Sequence, residues 1–228
     1  MFRRTANKWL VSVVTLVLTA VFVSVKLTNV ELYKELNAED GPVENSQALA
    51  YLISTVISLV IAYYRLVDGR KFVAFGFFLF AMIWLFIFAE EISWGQRILN
   101  MKSPAFFVAH NYQGEVTIHN LTILKPGFVY YYIVFSALGT FGWVAFGGST
   151  VKQCALVPPA SLTAYFAIPL LTAILVATNM PLGRAIGFPT EAILTQEPCE
   201  LLLALGVLFW MVLGLIKTKR AEPGAQRI

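Results

Sequence analysis

Charge is scarce in this 228-residue chain. Lys, Arg, Asp and Glu together make up 13% of it, about half of the roughly 25% carried by a soluble domain. Apolar residues make up 58%, and long stretches hold no charge at all. That balance excludes an ordinary soluble domain and points to an integral membrane protein built as one helical unit. Cysteine is nearly absent too. Cys154 and Cys199 form no Cys-x-x-Cys or Cys-x-x-Cys-His motif, so thiol redox, zinc-ribbon and c-type haem readings have no support. Histidine occurs only as His110 and His119, and neither lies in an apolar run. The axial ligands of a bis-histidine haem b between helices are therefore missing. No internal repeat is visible, and the two halves lack the matching broken helices of an inverted-repeat transporter. The net charge of +4 is no nucleic-acid signal. Its basic residues form short flanks beside apolar runs, as topology determinants do.

Hydrocarbon about 30 Å thick needs about 20 residues of helix. The runs predicted to meet this are Trp9–Leu27, Asn45–Tyr64, Phe72–Ala89 with a continuation through Glu91, Gly127–Gly147, Ala160–Thr178 and Pro198–Ile216. The expected fold is all-α, a polytopic membrane bundle of about six helices in a single domain over 1–228. Met-Phe-Arg-Arg opens the chain, but no small-x-small cleavage site follows Val25, so the first run is read as an uncleaved span. With both termini in the cytoplasm, 11 of the 17 basic residues face inward, which satisfies the positive-inside rule. A bacterial inner membrane is the expected location. The long connections, Thr28–Glu44, Glu90–Pro126 and Asn179–Glu197, then all lie on the outer face. Long loops in compact proteins carry function more often than short ones.

The densest polar stretch is Ala89–Asn120, directly after the third run. It gathers Glu90, Glu91, Gln96, Arg97, His110, Asn111, Gln113, Glu115, His119 and Asn120. Polar groups at a membrane boundary are costly unless paired or used. Two arrangements are open for Glu90-Glu91. Either they end the helix, opposing its macrodipole, or the helix runs on to Leu99 and places Glu90, Ser93 and Arg97 on one face. Ser103-Pro104 reads as a helix start, with Ser as N-cap and Pro at the first position. Phe106, Phe107 and Val108 then form a short interfacial helix that returns His110 to the membrane surface. Gly114 is expected to break any helix between His110 and Glu115. If helix resumes, Glu115 and His119 share a face. Elsewhere, Glu44 is expected as a first-turn acid of the second span. Glu197-Pro198-Cys199-Glu200 reads as a helix start in which Glu200 complements the dipole. Arg184 is the base of its loop and a candidate for binding a phosphate or carboxylate.

The block Glu90-Glu91-Ile92-Ser93-Trp94-Gly95-Gln96-Arg97, with His110-Asn111, Gln113-Gly114-Glu115 and His119-Asn120-Leu121 downstream, resembles a family of bacterial multi-pass membrane proteins. Glu39-Asp40-Gly41 is similar as well, while Val116 and Ile118 stand where more polar residues are expected. The resemblance covers about forty residues. It implies a membrane location and marks the same polar block; it implies no activity.

Two functions fit these residues. One is an enzyme acting on a lipid or lipid-linked substrate at the outer interface. Glu90, Glu91, His110 and His119 would be its catalytic groups. Glu91, His110, Glu115 and His119 are a candidate ligand set for a divalent metal such as zinc, iron or manganese. Gln96, Arg97, Asn111, Gln113, Asn120 and Arg184 would hold the substrate. The other is a non-catalytic subunit or assembly factor in a larger membrane complex, its aromatic surfaces packing against partner helices. A transporter fits less well, because almost no charge lies deep in a predicted span. Membrane lipids are partners in every case.

Overall fold

The computed structural model describes residues 2–96, 98–150, 154–178 and 193–220, with side-chain surroundings for all of these except 2–11, 125–126 and 193–195. Eight α-helices follow one another among the described residues. They are α1 (Phe2–Thr28), α2 (Val30–Leu36), α3 (Pro42–Val67), α4 (Lys71–Glu91), α5 (Ala105–His110), α6 (Lys125–Ala145), α7 (Thr163–Thr178) and α8 (Ile193–Arg220). There is no strand among the described residues, so the chain is an all-α membrane bundle, as its composition requires.

Among the described residues five segments are long and apolar enough to cross a membrane: Pro42–Val67, Lys71–Glu91, Gly127–Ala145, Ala160–Thr178 and Gln196–Arg220. These match the second to sixth runs predicted from the sequence. The first run lies within α1, whose described side chains make the shorter apolar helix Ser12–Thr28. Helix α3 begins as expected, with Gly41 as N-cap, Pro42 at the first position and Glu44 in the first turn. The Glu44 carboxylate accepts from the Asp40 N–H, which satisfies a donor ahead of the helix. The turn between α3 and α4 passes through Gly69 at φ +74°.

One expected boundary is wrong. Helix α8 starts at Ile193, so Pro198 lies inside it rather than at its first position. Glu200 is therefore not an end-capping acid. It sits in the third turn, facing inward and buried.

The spanning helices pack as a bent row in the order α4, α3, α8, α7, α6, and α1 lies against α7. The two ends of the row, α4 and α6, curve toward each other. They meet in the middle of the bundle through Trp84 and Phe135, with ring centroids 5.9 Å apart. Trp84 is 1% exposed and also packs on Tyr51, Phe80 and Trp210. This aromatic plug joins α3, α4, α6 and α8 at one level.

Small residues let the backbones approach, as in other membrane bundles. The Ser54, Thr55 and Ser58 hydroxyls bond back to carbonyls four residues earlier, so they need no partner across the interface. Gly139 of α6 and Gly206 of α8 flank the Phe166 ring of α7. Helix α2 is capped by Asn29, whose side chain accepts from the Leu32 N–H at 3.0 Å. It presents buried Tyr33, whose phenol is pushed up to about 12 by burial and by nearby Cys199 and Glu197. Both cysteines are free.

The Phe166 contact gives a paired test. A methyl added at Gly139 overlaps the Phe166 ring, whereas one added at Gly127 meets nothing within 4 Å. Overpacking costs about 1–3 kcal/mol, more than the roughly 1 kcal/mol that Ala gains over Gly in a helix. Thermal unfolding in detergent is expected to show a lower Tm for Gly139→Ala and an unchanged or slightly higher Tm for Gly127→Ala.

Candidate functional site

Helix α4 stops at Glu91, and the chain then reverses. Ser93, Trp94 and Gly95 have φ of +48°, +55° and +76°, three successive residues in the left-handed region. The arrangement with helix running to Leu99 is therefore overturned, and Glu90 and Ser93 do not share a helical face. An L-residue in this region costs about 1–2 kcal/mol, so the turn must be held from outside. The Trp94 indole N–H donates to Glu90 Oε1 at 2.6 Å, and the Ser93 hydroxyl donates to Glu115. Gln96 Oε1 accepts from the Val116 N–H at 2.8 Å, while its Nε2 donates to the Ser103 hydroxyl at 2.5 Å. Ser103 is thus a partner of Gln96 rather than a cap, and Pro104 is the N-cap of α5.

The returning segment, 110–122, is tied together by its own polar groups. Asn111 and Leu121 form an isolated antiparallel bridge. The buried Asn111 amide donates to the Thr117 carbonyl at 2.7 Å and its hydroxyl at 2.9 Å. The Asn120 amide donates to Gln113, and Gly114 turns the chain at φ +68°. No helix resumes after Gly114, so Glu115 and His119 do not pair on a helical face. Glu115 is drawn to Ser93 and His119 to Glu90.

Glu90 is where the two segments meet. It is 5% exposed and accepts from four donors. These are the Trp94 indole, the backbone N–H of Ile118 at 2.7 Å, the backbone N–H of His119 at 2.9 Å, and His119 Nδ1 at 3.0 Å. A carboxylate only accepts, so Nδ1 carries the proton and Nε2 is the basic nitrogen of the ring. The ring lies 5.7 Å from that of Phe128 at the start of α6.

Two cavities adjoin at this point. The polar one, of about 90 Å³, is lined by Glu44, Glu90, Glu91, Glu115, Glu197 and Glu200, together with Ser93, Gln113, Thr117, His119, Asn120 and Gln196. Among the described residues no Lys or Arg lines it. The apolar one, of about 200 Å³, is lined by Tyr51, Phe86, Ile87, Ile118, Phe128, Tyr131, Tyr132, Phe135 and Leu203. Glu90, Glu91, His119 and Glu200 line both. Glu200 accepts from the Tyr132 hydroxyl and from Gln196 Nε2, and Glu197 accepts from Gln47 Nε2 at 3.0 Å.

Of the residues singled out in the sequence, Glu90, Glu91, Gln113, Glu115, His119 and Asn120 are brought together here. Gln96 braces the turn, and Asn111 braces the loop. His110 is apart: it is exposed, bonds to its own helix at the Phe106 carbonyl, and stacks on the Phe106 ring at 4.7 Å. Arg97 and Arg184 lie outside the described residues. Among the described residues no three His, Cys, Asp or Glu side chains are placed to hold a metal ion. The proposed ligands Glu91, His110, Glu115 and His119 are thus not assembled as a set. Sequence reasoning gave no site role to Glu200, Glu197, Tyr132 or Tyr51. One usable signal was the spacing of Gln196 and Glu200, which puts both on one face of α8.

No family model, curated protein or solved structure matches the chain. Fold and site together define its class: a helical membrane bundle with an acidic, histidine-bearing chamber at one end.

Glu90 bonding to the Ile118 and His119 amides sets up a measurement. With Glu90→Ala, amide hydrogen exchange at Ile118 and His119 is expected to accelerate by about tenfold or more, since a hydrogen bond to a charged group is worth about 1.5–3 kcal/mol. Glu91→Ala is expected to leave those two amides unchanged.

Proposed function

We propose that this protein is a membrane-embedded acid–base enzyme acting on the head end of a lipid or lipid-linked substrate. The observation that supports this best is the shared wall. Glu90, Glu91, His119 and Glu200 stand where an apolar cavity meets a polar one. An amphiphile has that same division, with a chain for one cavity and a head for the other. The junction between chain and head would then lie beside His119.

In this reading His119 Nε2 takes a proton from a hydroxyl or a water in the polar chamber. Glu90 is a positioning residue: it fixes the tautomer and steadies the imidazolium, as a buried carboxylate does beside a catalytic histidine. Tyr132 and Glu200 form a second proton-carrying pair, the phenol donating to the carboxylate. The head group it suits is neutral or cationic, because an anion would face carboxylates with no described Lys or Arg to offset them. In this reading both termini lie in the cytoplasm and the chamber on the outer side of a bacterial inner membrane, an orientation that the positive-inside distribution of Lys and Arg supports.

Mass spectrometry of whole lipid extracts tests this. Cells expressing the wild-type chain are expected to differ from empty-vector cells in at least one lipid class. His119→Ala is expected to abolish that difference, with turnover lowered about 10²–10⁴-fold. Identical lipid profiles for the wild type and His119→Ala, both present in the membrane at equal level, would contradict it.

A further inference from the structure

We infer that the apolar cavity is a side-entry slot for one hydrocarbon chain of a bilayer lipid, opening between α4 and α6. The inference rests on the reading above in one respect, that the ligand is a lipid. The route and the slot are argued from the packing.

Helices α4 and α6 are the two ends of the bent row. Each packs on its other neighbour, α4 on α3 and α6 on α7. Among the described residues, ring and hydrogen-bond contacts close the gap between them at two levels. In the middle of the bundle it is closed by Trp84 against Phe135. At the end of the bundle it is closed by His119, which bonds to Glu90 of α4 and packs on Phe128 of α6. Between these levels lies the cavity.

Its lining runs without interruption from the outer surface of the bundle to the core. Phe86 of α4 is 44% exposed and Tyr131 of α6 is 66% exposed, whereas Tyr51 and Leu203 at the back are 5% and 2% exposed. Phe86 and Tyr131 therefore form the mouth. Phe135 lies eight residues beyond Gly127, where the apolar span begins. At 1.5 Å per residue that places the floor roughly 12 Å into the bilayer. The mouth, at Tyr131 four residues beyond Gly127, lies about 6 Å in, within the apolar span and so facing hydrocarbon rather than water.

The chemistry of the lining selects the same occupant. Water in an apolar slot lacks the two to four polar partners that would hold it, whereas a chain already beside the mouth buries its methylenes there with no loss. The floor at Phe135, backed by Trp84, stops it. Its head is left at the shared wall, within reach of His119.

The test uses the full chain in phosphatidylcholine vesicles that contain a small fraction of phosphatidylethanolamine with a photoreactive diazirine along its acyl chain. After irradiation, adducts are mapped by mass spectrometry of peptides. Adducts are expected on Leu203 and Phe128, as well as on outward-facing Phe75 and Val134. Adducts confined to Phe75 and Val134 would overturn the slot. Ile87→Trp, which narrows the slot from its α4 side, is expected to lower Leu203 labelling at least fivefold while Phe75 labelling stays constant. Undiminished Leu203 labelling in that variant would also overturn it. His119→Ala is expected to keep the Leu203 adduct. Labelling of Leu203 with no lipid turnover by the wild type would uphold the slot and remove the enzyme.

Discussion

A single carboxylate holds the end of this bundle together. Glu90 lies in the last turn of α4, where the helix macrodipole disfavours a negative charge by about 0.3–1 kcal/mol. It nonetheless collects four donors, two from the backbone and two from side-chain rings. Hydrogen bonds to a charged group are worth about 1.5–3 kcal/mol each, so the donors outweigh the dipole. They also offset a second cost, the left-handed turn at Ser93 and Trp94, because Trp94 is itself one of the donors. Strain, charge and the placement of His119 are therefore one coupled arrangement. Loss of the carboxylate would release all three.

The bilayer explains why such an arrangement sits at a helix end. Within hydrocarbon every backbone group must be satisfied inside its own helix, so irregular backbone gathers where the helices stop. Four helix ends meet there: the starts of α3, α6 and α8 and the finish of α4. Each brings polar side chains from its terminal turns, and the aromatic plug around Trp84 seals the level below. The result is a polar chamber resting on an apolar cavity, both built from the turns near one end of the spanning helices and the loop between α4 and α6.

Much of this was legible in the sequence, and for a physical reason. Span length is imposed by bilayer thickness, so the apolar runs from Asn45 onward fell within a few residues of the observed helices. Glu44 as a first-turn acid and the short helix around Phe106 followed from local rules. Other features followed from contacts that no local rule encodes. Ser93 and Trp94 are not residues that announce a left-handed turn, and what stabilises them comes from Glu115 and Glu90. Pro198 is an ordinary start signal, but helix begins five residues earlier and carries Glu200 inward. His110-Asn111 and His119-Asn120 look alike in sequence. Only the fold separates them, leaving His110 against Phe106 and bringing His119 to Glu90.

The central claim is that Glu90 fixes the tautomer and position of His119. Because the chain has only two histidines, nitrogen NMR of protein labelled at histidine alone reads this directly, with His110→Asn assigning the remaining ring. The neutral form of the His119 ring is expected to carry its proton on Nδ1, and to lose that preference in Glu90→Ala. A His119 ring with the mixed tautomers of a free imidazole, unchanged by Glu90→Ala, would contradict it.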